Sequence, residues 1–432
     1  MKRKMVLIGA GSAMFTQGVV MDLIHNPGKF SWELVLVDID EEILGTVHRL
    51  VKKILEAKKA SHITVWSTKN RAEALPEADY VVCTIGVGGR RAWEQDVFIP
   101  RKYGIFQPVG DTAMPGGISR AMRMIPAMLD IIDDCIKFCP SARFFNYANP
   151  MAMICRAIYK ARSFPVTGLC IGVPAGEWEV ADLCGFKRED FKAIGVGVNH
   201  MTFLYNMRHK GEDATPIINK VLQEQPVKYN PFAWSFYESH GAYPVPGDRH
   251  LTEFFVEGFP GGAYFGKTLG VDAFSFEGTI EYGDKIYKTM SDIANSPEPL
   301  TDDYFGEMHG EHEQLMEIIN AIEADNRQVF SANLPNRGAV PNLPYDAVLE
   351  LPAVATGDGF RPMHVLDFPE NCVKYVNRAI NVFELAVDAA LTGNRPLLED
   401  AILAGGYISD KAAVSKMVEE LINAQTAYLP QF

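Results

Sequence analysis

The chain has 432 residues, is 47% hydrophobic and 22% charged, and carries a formal net charge of −13. That length exceeds one hydrophobic core and implies about two or three domains of an ordinary globular protein. The acidic balance excludes nucleic acid and anionic membrane surface as main partners, while local arginines still leave room for an anionic small molecule. Seven cysteines without regular spacing do not read as a disulfide framework and fit a reducing, cytoplasmic compartment. Lys2-Arg3-Lys4 ahead of Met5-Val6-Leu7-Ile8 is too short a run for a secretory signal, and none approaches the roughly twenty residues of a membrane span.

Val6-Leu7-Ile8 reads as a first strand entering the turn Gly9-Ala10-Gly11-Ser12, with a helix from Ala13 to Ile24. Leu34 to Val37 is a second strand that ends on Asp38. Strand, glycine turn, helix, strand and terminal acid is the layout that binds a dinucleotide of the NAD type. Glycines admit the pyrophosphate, the helix N-terminus attracts its charge, and the acid accepts from a ribose hydroxyl. The third glycine of that fingerprint would fall at position 14, which is Met14. An amphipathic helix over 41–60, a strand at Ile63–Trp66 and a short helix at Arg71–Leu75 follow. Tyr80 to Ile85 is a continuous apolar run, as a strand buried on both faces requires, and it leads into Gly86-Val87-Gly88-Gly89-Arg90-Arg91, placed to cover the cofactor.

Val109 to Ile118 is a loop dense in turn formers, followed by a long helix through Met122, Ile125 and Met128. Arg143–Tyr147 and Pro165–Ile171 read as further strands, and Ala193–His200 as the last strand of this half. The reading is a Rossmann-type doubly wound parallel α/β sheet over 1–195, and a C-terminal α+β domain over 196–432, as in lactate and malate dehydrogenases. Within the second half, 201–285 mixes short strands with aromatic and Gly/Pro-rich loops, and helices are expected around 303–325 and 368–392.

Strand-end residues Asn149, Cys170 and His200 are the natural site candidates. His200 suits the base of a simple NAD-dependent 2-hydroxy-acid dehydrogenase, but the strand end where its partner acid would stand reads Gly168-Leu169-Cys170-Ile171. Cys170 and His200 alternatively make a thiolate–imidazole pair for a divalent metal; a strand cysteine and a lone histidine equally serve as core. Arg91 and Arg249, beside Arg90, Arg120 and Arg123, stand on or near site-type loops, and a guanidinium fork suits a substrate carboxylate.

The chain resembles the family 4 glycoside hydrolases, a class outside two-carboxylate hydrolysis. The resemblance is carried by Gly9-Ala-Gly-Ser12 with Phe15-Thr16, Val109-Gly110-Asp111-Thr112 through Ile118, and Asn146-Tyr-Ala-Asn149-Pro150-Met151. It continues in Gly168-Leu-Cys170, Gly197-Val-Asn199-His200, Ala242-Tyr243-Pro244 and Gly247-Asp248-Arg249-His250-Leu251. Asn333-Leu-Pro335-Asn336-Arg-Gly338 and Asn342-Leu-Pro344 resemble in particular the α-galacturonidase and α-glucuronidase members.

The resemblance implies a glycosidase that oxidises the sugar C3 hydroxyl with NAD, removes the C2 proton, eliminates the C1 leaving group, adds water and returns the hydride. It implies NAD contacts from Gly9, Gly11, Ser12, Phe15, Asp38, Gly86 and Asn149, and a metal, Mn²⁺ or another divalent ion, on Cys170 and His200. Asn149, Asp111, Arg91 and Arg249 would meet the sugar, Tyr243 falls at the position of the C2 base in members that use tyrosine, and Asp248 is the alternative. Where some members place an acid or a histidine after the metal cysteine, this chain has Ile171, which leaves the general acid unassigned, with Asp248 and His250 as nearby candidates. The expected substrate is a small α-linked uronide or hexoside, and the expected assembly a homodimer or homotetramer. A non-catalytic NAD sensor is the remaining alternative, because Ile171 removes one catalytic group.

Overall fold

The computed structural model describes residues 1–224, 227–306 and 314–432. Six strands form the first half: β1 Lys2–Ile8, β2 Ser31–Val37, β3 Ile63–Thr68, β4 Tyr80–Cys83, β5 Arg143–Asn146 and β6 Val166–Gly168. They pair in parallel in the order β6-β5-β4-β1-β2-β3, the doubly wound arrangement expected from alternating strands and helices. Apolar continuity in the sequence becomes burial on both faces, with Leu7, Leu34, Val81 and Val82 wholly enclosed. The helix Glu41–Ala57 starts at Asp40, whose carboxylate caps the amides of Glu42 and Ile43.

The second half continues the same sheet. After β7 Phe191–Val198 and β8 Met201–His209 come β9 Glu212–Asp213, β10 Tyr243–Val245, and the two-stranded pair β11 Ala263–Tyr264 and β12 Lys267–Thr268. The last strands are β13 Val329–Pro335, β14 Val348–Thr356 and β15 Gly359–Pro362. The main sheet has thirteen strands and passes from β6 through antiparallel β13, β14, β7, β8 and β10. The 193–200 strand, expected to close the cofactor half, is β7 in this antiparallel portion. A two-residue turn, Asn199-His200, joins it to β8, and so tight a connection forces antiparallel pairing.

The helix expected around 303–325 is described as Asp302–Gly306 and Leu315–Ala324, with 307–313 outside the described residues, and the one near 368–392 as Glu370–Thr392. Helices at Thr215–Glu224, Pro231–His240 and Phe276–Asn295 stand where loops and short strands were expected. Glycines at 278 and 283 interrupt the apolar periodicity of the last of these, and aromatics on several sides obscure that of the second. No helix among the described residues is long and apolar enough to cross a membrane.

A buried ion pair fastens the C-terminal helix Lys411–Gln425 to the N-terminal half. Arg123 and Asp96 are both 0% exposed. Arg123 donates to Asp96 at 2.9 Å, to the Gln425 amide oxygen at 2.6 Å and to the Val87 carbonyl at 2.9 Å. Removing one member leaves the other charge buried without its partner. Asp96→Ala should therefore lose about 3–5 kcal/mol of stability, read as a lower guanidinium midpoint. A loss below about 1 kcal/mol would show that water replaces the carboxylate.

Candidate active site

The turn after β1 is shaped for close backbone approach. Gly9 has φ +86°, and a Cβ there would lie 2.8 Å from the Ile85 nitrogen and 2.9 Å from the Thr84 carbonyl carbon. Its N–H and that of Ala10 donate to the Val37 carbonyl, at 2.9 and 3.0 Å, tying the turn to the end of β2. A Cβ on Gly11 would lie 2.8 Å from an Asp38 carboxylate oxygen, the one that accepts from the Gly11 N–H at 2.8 Å. The other Asp38 oxygen accepts from the Asp40 N–H at 3.1 Å, which leaves further lone pairs for a ribose hydroxyl. Ser12 precedes the helix Ala13–His25 without capping it through its side chain, so that helix start remains an anion-binding terminus. Phe15 packs on Tyr147 at 4.4 Å between ring centroids, and Gly86 passes beside the Arg120 guanidinium. These residues fit a dinucleotide: the turn is open where side chains would fill it, and it leads directly into a helix N-terminus.

Beyond the end of β5, a second constellation forms around Asp111, His200 and His250. One ligand atom from each lies within 4.8 Å of the others, the group of that kind found among the described residues. Thr112 bridges two of them, its hydroxyl 2.7 Å from an Asp111 oxygen and 2.8 Å from His200 Nδ1. The Asn149 amide donates to the other Asp111 oxygen at 3.0 Å, while its own Oδ1 is buried with no partner. The two imidazole centroids are 4.2 Å apart. His200 holds φ +67° in the turn between β7 and β8, a conformation that only surrounding structure sustains in a non-glycine residue.

Charge state suits this group to a cation. Burial pushes His200 below its ordinary pKa against the pull of Asp111, and burial beside His200 takes His250 down to about 3. Both rings are therefore neutral near pH 7, with lone pairs to give. Burial works to raise Asp111, but its surroundings, with Arg120 the standing cation and the Thr112 hydroxyl a donor, hold it below the usual carboxylate range. Two neutral imidazoles and a carboxylate are an N,N,O set for a borderline divalent metal, with positions left for substrate oxygens.

The other residues expected at the site have their own contacts. Cys170 is half-buried beside Gly172, whose N–H lies 3.4 Å from its sulfur, and it is not a member of the 4.8 Å group. Tyr243 is fully buried on β10 and donates to Glu179, its pKa pushed well above the ordinary value by burial and by that carboxylate. Asp248, also fully buried, accepts from the amides of Phe232 and Ala233, both at 2.9 Å, and from the Tyr264 hydroxyl at 2.7 Å. Both side chains are thus engaged in building the 243–250 segment. Arg91 is largely exposed and spends its fork on Glu94 and Asp284. Arg249 donates to Thr279 at 2.9 Å, keeps a buried Nε without a partner, and makes no ion pair with a described residue. Ile171 stands just ahead of the helix Gly172–Cys184, with no acid in its place.

Three contributors lie outside what the sequence predicts. His250 is a ligand candidate and not only a candidate acid, and neither Thr112 nor Glu253 is marked by a motif of its own. Gly-Asp-Arg-His was the available signal for His250, since Asp248 pins the short helix that presents it. Glu253 accepts from the Val109 N–H at 2.8 Å and the Gly110 N–H at 2.7 Å, clamping the segment that ends in Asp111. Burial pushes its carboxyl from 4.5 up to about 8. The fold thus favours the protonated acid, a contribution whole below about pH 4.5 and lost as pH climbs through about 8. Glu253→Gln keeps an acceptor for both amides and should show a smaller fall in thermal midpoint between about pH 5 and about pH 9. Equal slopes in parent and variant would place that ionisation elsewhere.

Comparison with known proteins places the chain in a family. Residues 4–185 match the family 4 glycosyl hydrolase model and residues 195–405 its C-terminal domain. An alpha-galactosidase of Rhizobium meliloti (strain 1021) is 30% identical, with 99% of this chain and 89% of that protein covered. An alpha-galacturonidase of Lachnoclostridium phytofermentans is also 30% identical, with coverage of 99% and 97%. The 6-phospho-beta glucosidase of Thermotoga maritima, solved with manganese, NAD+ and glucose-6-phosphate, shares the fold at a TM-score of 0.82, 24% identity and 99% coverage of each chain. The chain belongs to the family 4 glycosyl hydrolases.

Proposed function

We propose that this glycosidase uses NAD and a divalent metal, Mn²⁺ among the candidates, to hydrolyse an α-linked sugar that carries an anionic group, of the uronide type. The observation that carries the reading is the Asp111–His200–His250 group beside Asn149, at the strand ends next to the glycine turn. The relatives named for α-linked galactosides and galacturonides support the sugar class. When bound, NAD supplies reversible oxidation of the sugar C3 hydroxyl, and the metal supplies Lewis-acid stabilisation of charge developing at C2 and C3.

The chain's own residues bind and orient. Asp111, His200 and His250 would hold the metal, and the unpartnered Asn149 Oδ1 accepts a sugar hydroxyl. Arg120 donates to the Asn149 carbonyl at 2.9 Å and makes no ion pair with a described residue. Burial lowers its pKa, so an anion seated beside it relieves the cost of an enclosed cation. Arg249 offers a second unpaired guanidinium next to His250. Two such cations in a protein rich in acids favour a carboxylate-bearing substrate.

The reading is tested by cleaving an α-galacturonide in D₂O with NAD and Mn²⁺. Deuterium should appear at C2 of the released sugar, and cleavage should stop when either cofactor is withheld. Hydrolysis without C2 exchange would overturn the elimination, and net NADH formation from a 2-hydroxy acid would favour a dehydrogenase. In parallel, His250→Ala should weaken Mn²⁺ binding at least about tenfold by titration of the folded protein. Unchanged affinity would remove His250 from the site.

A further inference from the structure

The helix Phe276–Asn295 belongs to the C-terminal half, yet it lies along Glu41–Ala57, the helix that follows Asp38. It is fastened in two places. The Lys53 ammonium donates to the carbonyls of Ile293 at 3.0 Å and Glu298 at 2.8 Å, holding the C-terminal end. Midway, the Asp284 carboxylate accepts from Arg90 Nε and from Arg91 Nη2, each at 2.6 Å. Gly283 makes room for this contact, because a Cβ there would stand 3.1 Å from Arg90 Cδ. Arg90 also lies over the Tyr287 ring, 5.4 Å from its centroid, and the Tyr287 hydroxyl is buried with no protein partner.

The sheet order β4-β1-β2 brings together the turns that follow these three strands. Arg90 and Arg91 leave the turn after β4, Asp38 ends β2, and the glycine turn lies between them. We propose that the helix Phe276–Asn295 is the outer wall of the adenosine half of the cofactor site, and that Asp284, by occupying Arg90 and Arg91, makes that site select NAD over NADP. The inference rests on the NAD-dependent function proposed for this protein.

NADP differs by a 2′-phosphate, which needs a guanidinium partner where NAD needs only an acceptor for its 2′-hydroxyl. Asp38 supplies that acceptor and repels a phosphate. Arg90 and Arg91 are the cations on the facing turn; Arg90 gives its Nε to Asp284, and Arg91 divides its fork between Asp284 and Glu94. Tyr287 is suited to an uncharged neighbour. Its hydroxyl, buried with no protein partner, is a neutral donor for one hydrogen bond to a ribose oxygen.

The test is calorimetric titration of NAD and NADP into the parent, Asp284→Asn and Tyr287→Phe. Asp284 is nearly half exposed, so its replacement leaves the core untouched. The parent should bind NAD more tightly. Asp284→Asn should narrow the NAD-to-NADP affinity ratio at least about tenfold through tighter NADP, and Tyr287→Phe should weaken NAD about threefold or more. An unchanged ratio in Asp284→Asn overturns the selectivity role, as does equal tightening of both dinucleotides, which would place the freed arginines on the pyrophosphate. Unchanged NAD affinity in Tyr287→Phe overturns the wall. A parent that binds neither dinucleotide overturns the cofactor reading and this inference with it, whereas NAD binding with an unaltered ratio overturns the inference alone.

Discussion

Asp111 reaches the two histidines because the segment before it is folded back and held by groups from both halves of the chain. Glu253 gathers the Val109 and Gly110 amides onto one oxygen. Gln107 accepts from the Gly116 N–H at 2.8 Å and donates to the Asp96 carbonyl at 3.0 Å. At the start of the helix Met114–Phe138, a Cβ on Gly117 would stand 2.4 Å from the Thr112 carbonyl carbon. The glycine pair is therefore a steric condition for the loop that carries Asp111 and Thr112, and a side chain at 117 would drive that loop off the helix. Everything chemical at the site is built outward from this fold-back.

The same region shows two treatments of buried charge. Behind the site, Arg123 is closed by Asp96 and Gln425, which welds the C-terminal helix to the Val87 turn. In front, Arg120 stands three residues earlier on the same helix, partly buried and without a carboxylate at ion-pair distance among the described residues. A buried cation is costly unless something completes it. Arg123 finds its partner inside the protein; for Arg120, under the proposed function, the substrate supplies it.

Much of the fold was legible because its signals are local. The buried strands of the parallel half announce themselves as continuous apolar runs, and Gly9, Gly11 and Asp38 fix the glycine turn through backbone sterics and one carboxylate. The helices of 215–295 were not legible, since Gly278 and Gly283 break the pattern and aromatics surround Pro231–His240. Within the site, Asn149 and His200 were legible as polar residues just past strand ends. The tasks of Tyr243 and Asp248 were not: nothing in the local sequence says that Glu179 and the Phe232 and Ala233 amides lie within reach of their side chains. His250 joins His200 through a contact between β7–β8 and a segment fifty residues on, a proximity that only tertiary packing creates.

Overall charge bears on the substrate as well. At −13 the protein repels anions at long range, yet under the proposed function it must admit two of them, NAD and a uronide. Screening resolves the conflict, because at physiological ionic strength the field of distant charges fades over about 8 Å. What an approaching anion feels is then set by its immediate neighbours: helix N-termini, backbone amides, and guanidinium groups not already neutralised. Most arginines of this chain are spent on nearby carboxylates, Arg90 and Arg91 on Asp284 among them. The exceptions at the site, Arg120 and Arg249, acquire their meaning from that contrast. In an acidic protein a cation left unpaired at the site is the local inversion of sign that the negatively charged sugar of the proposed function would require.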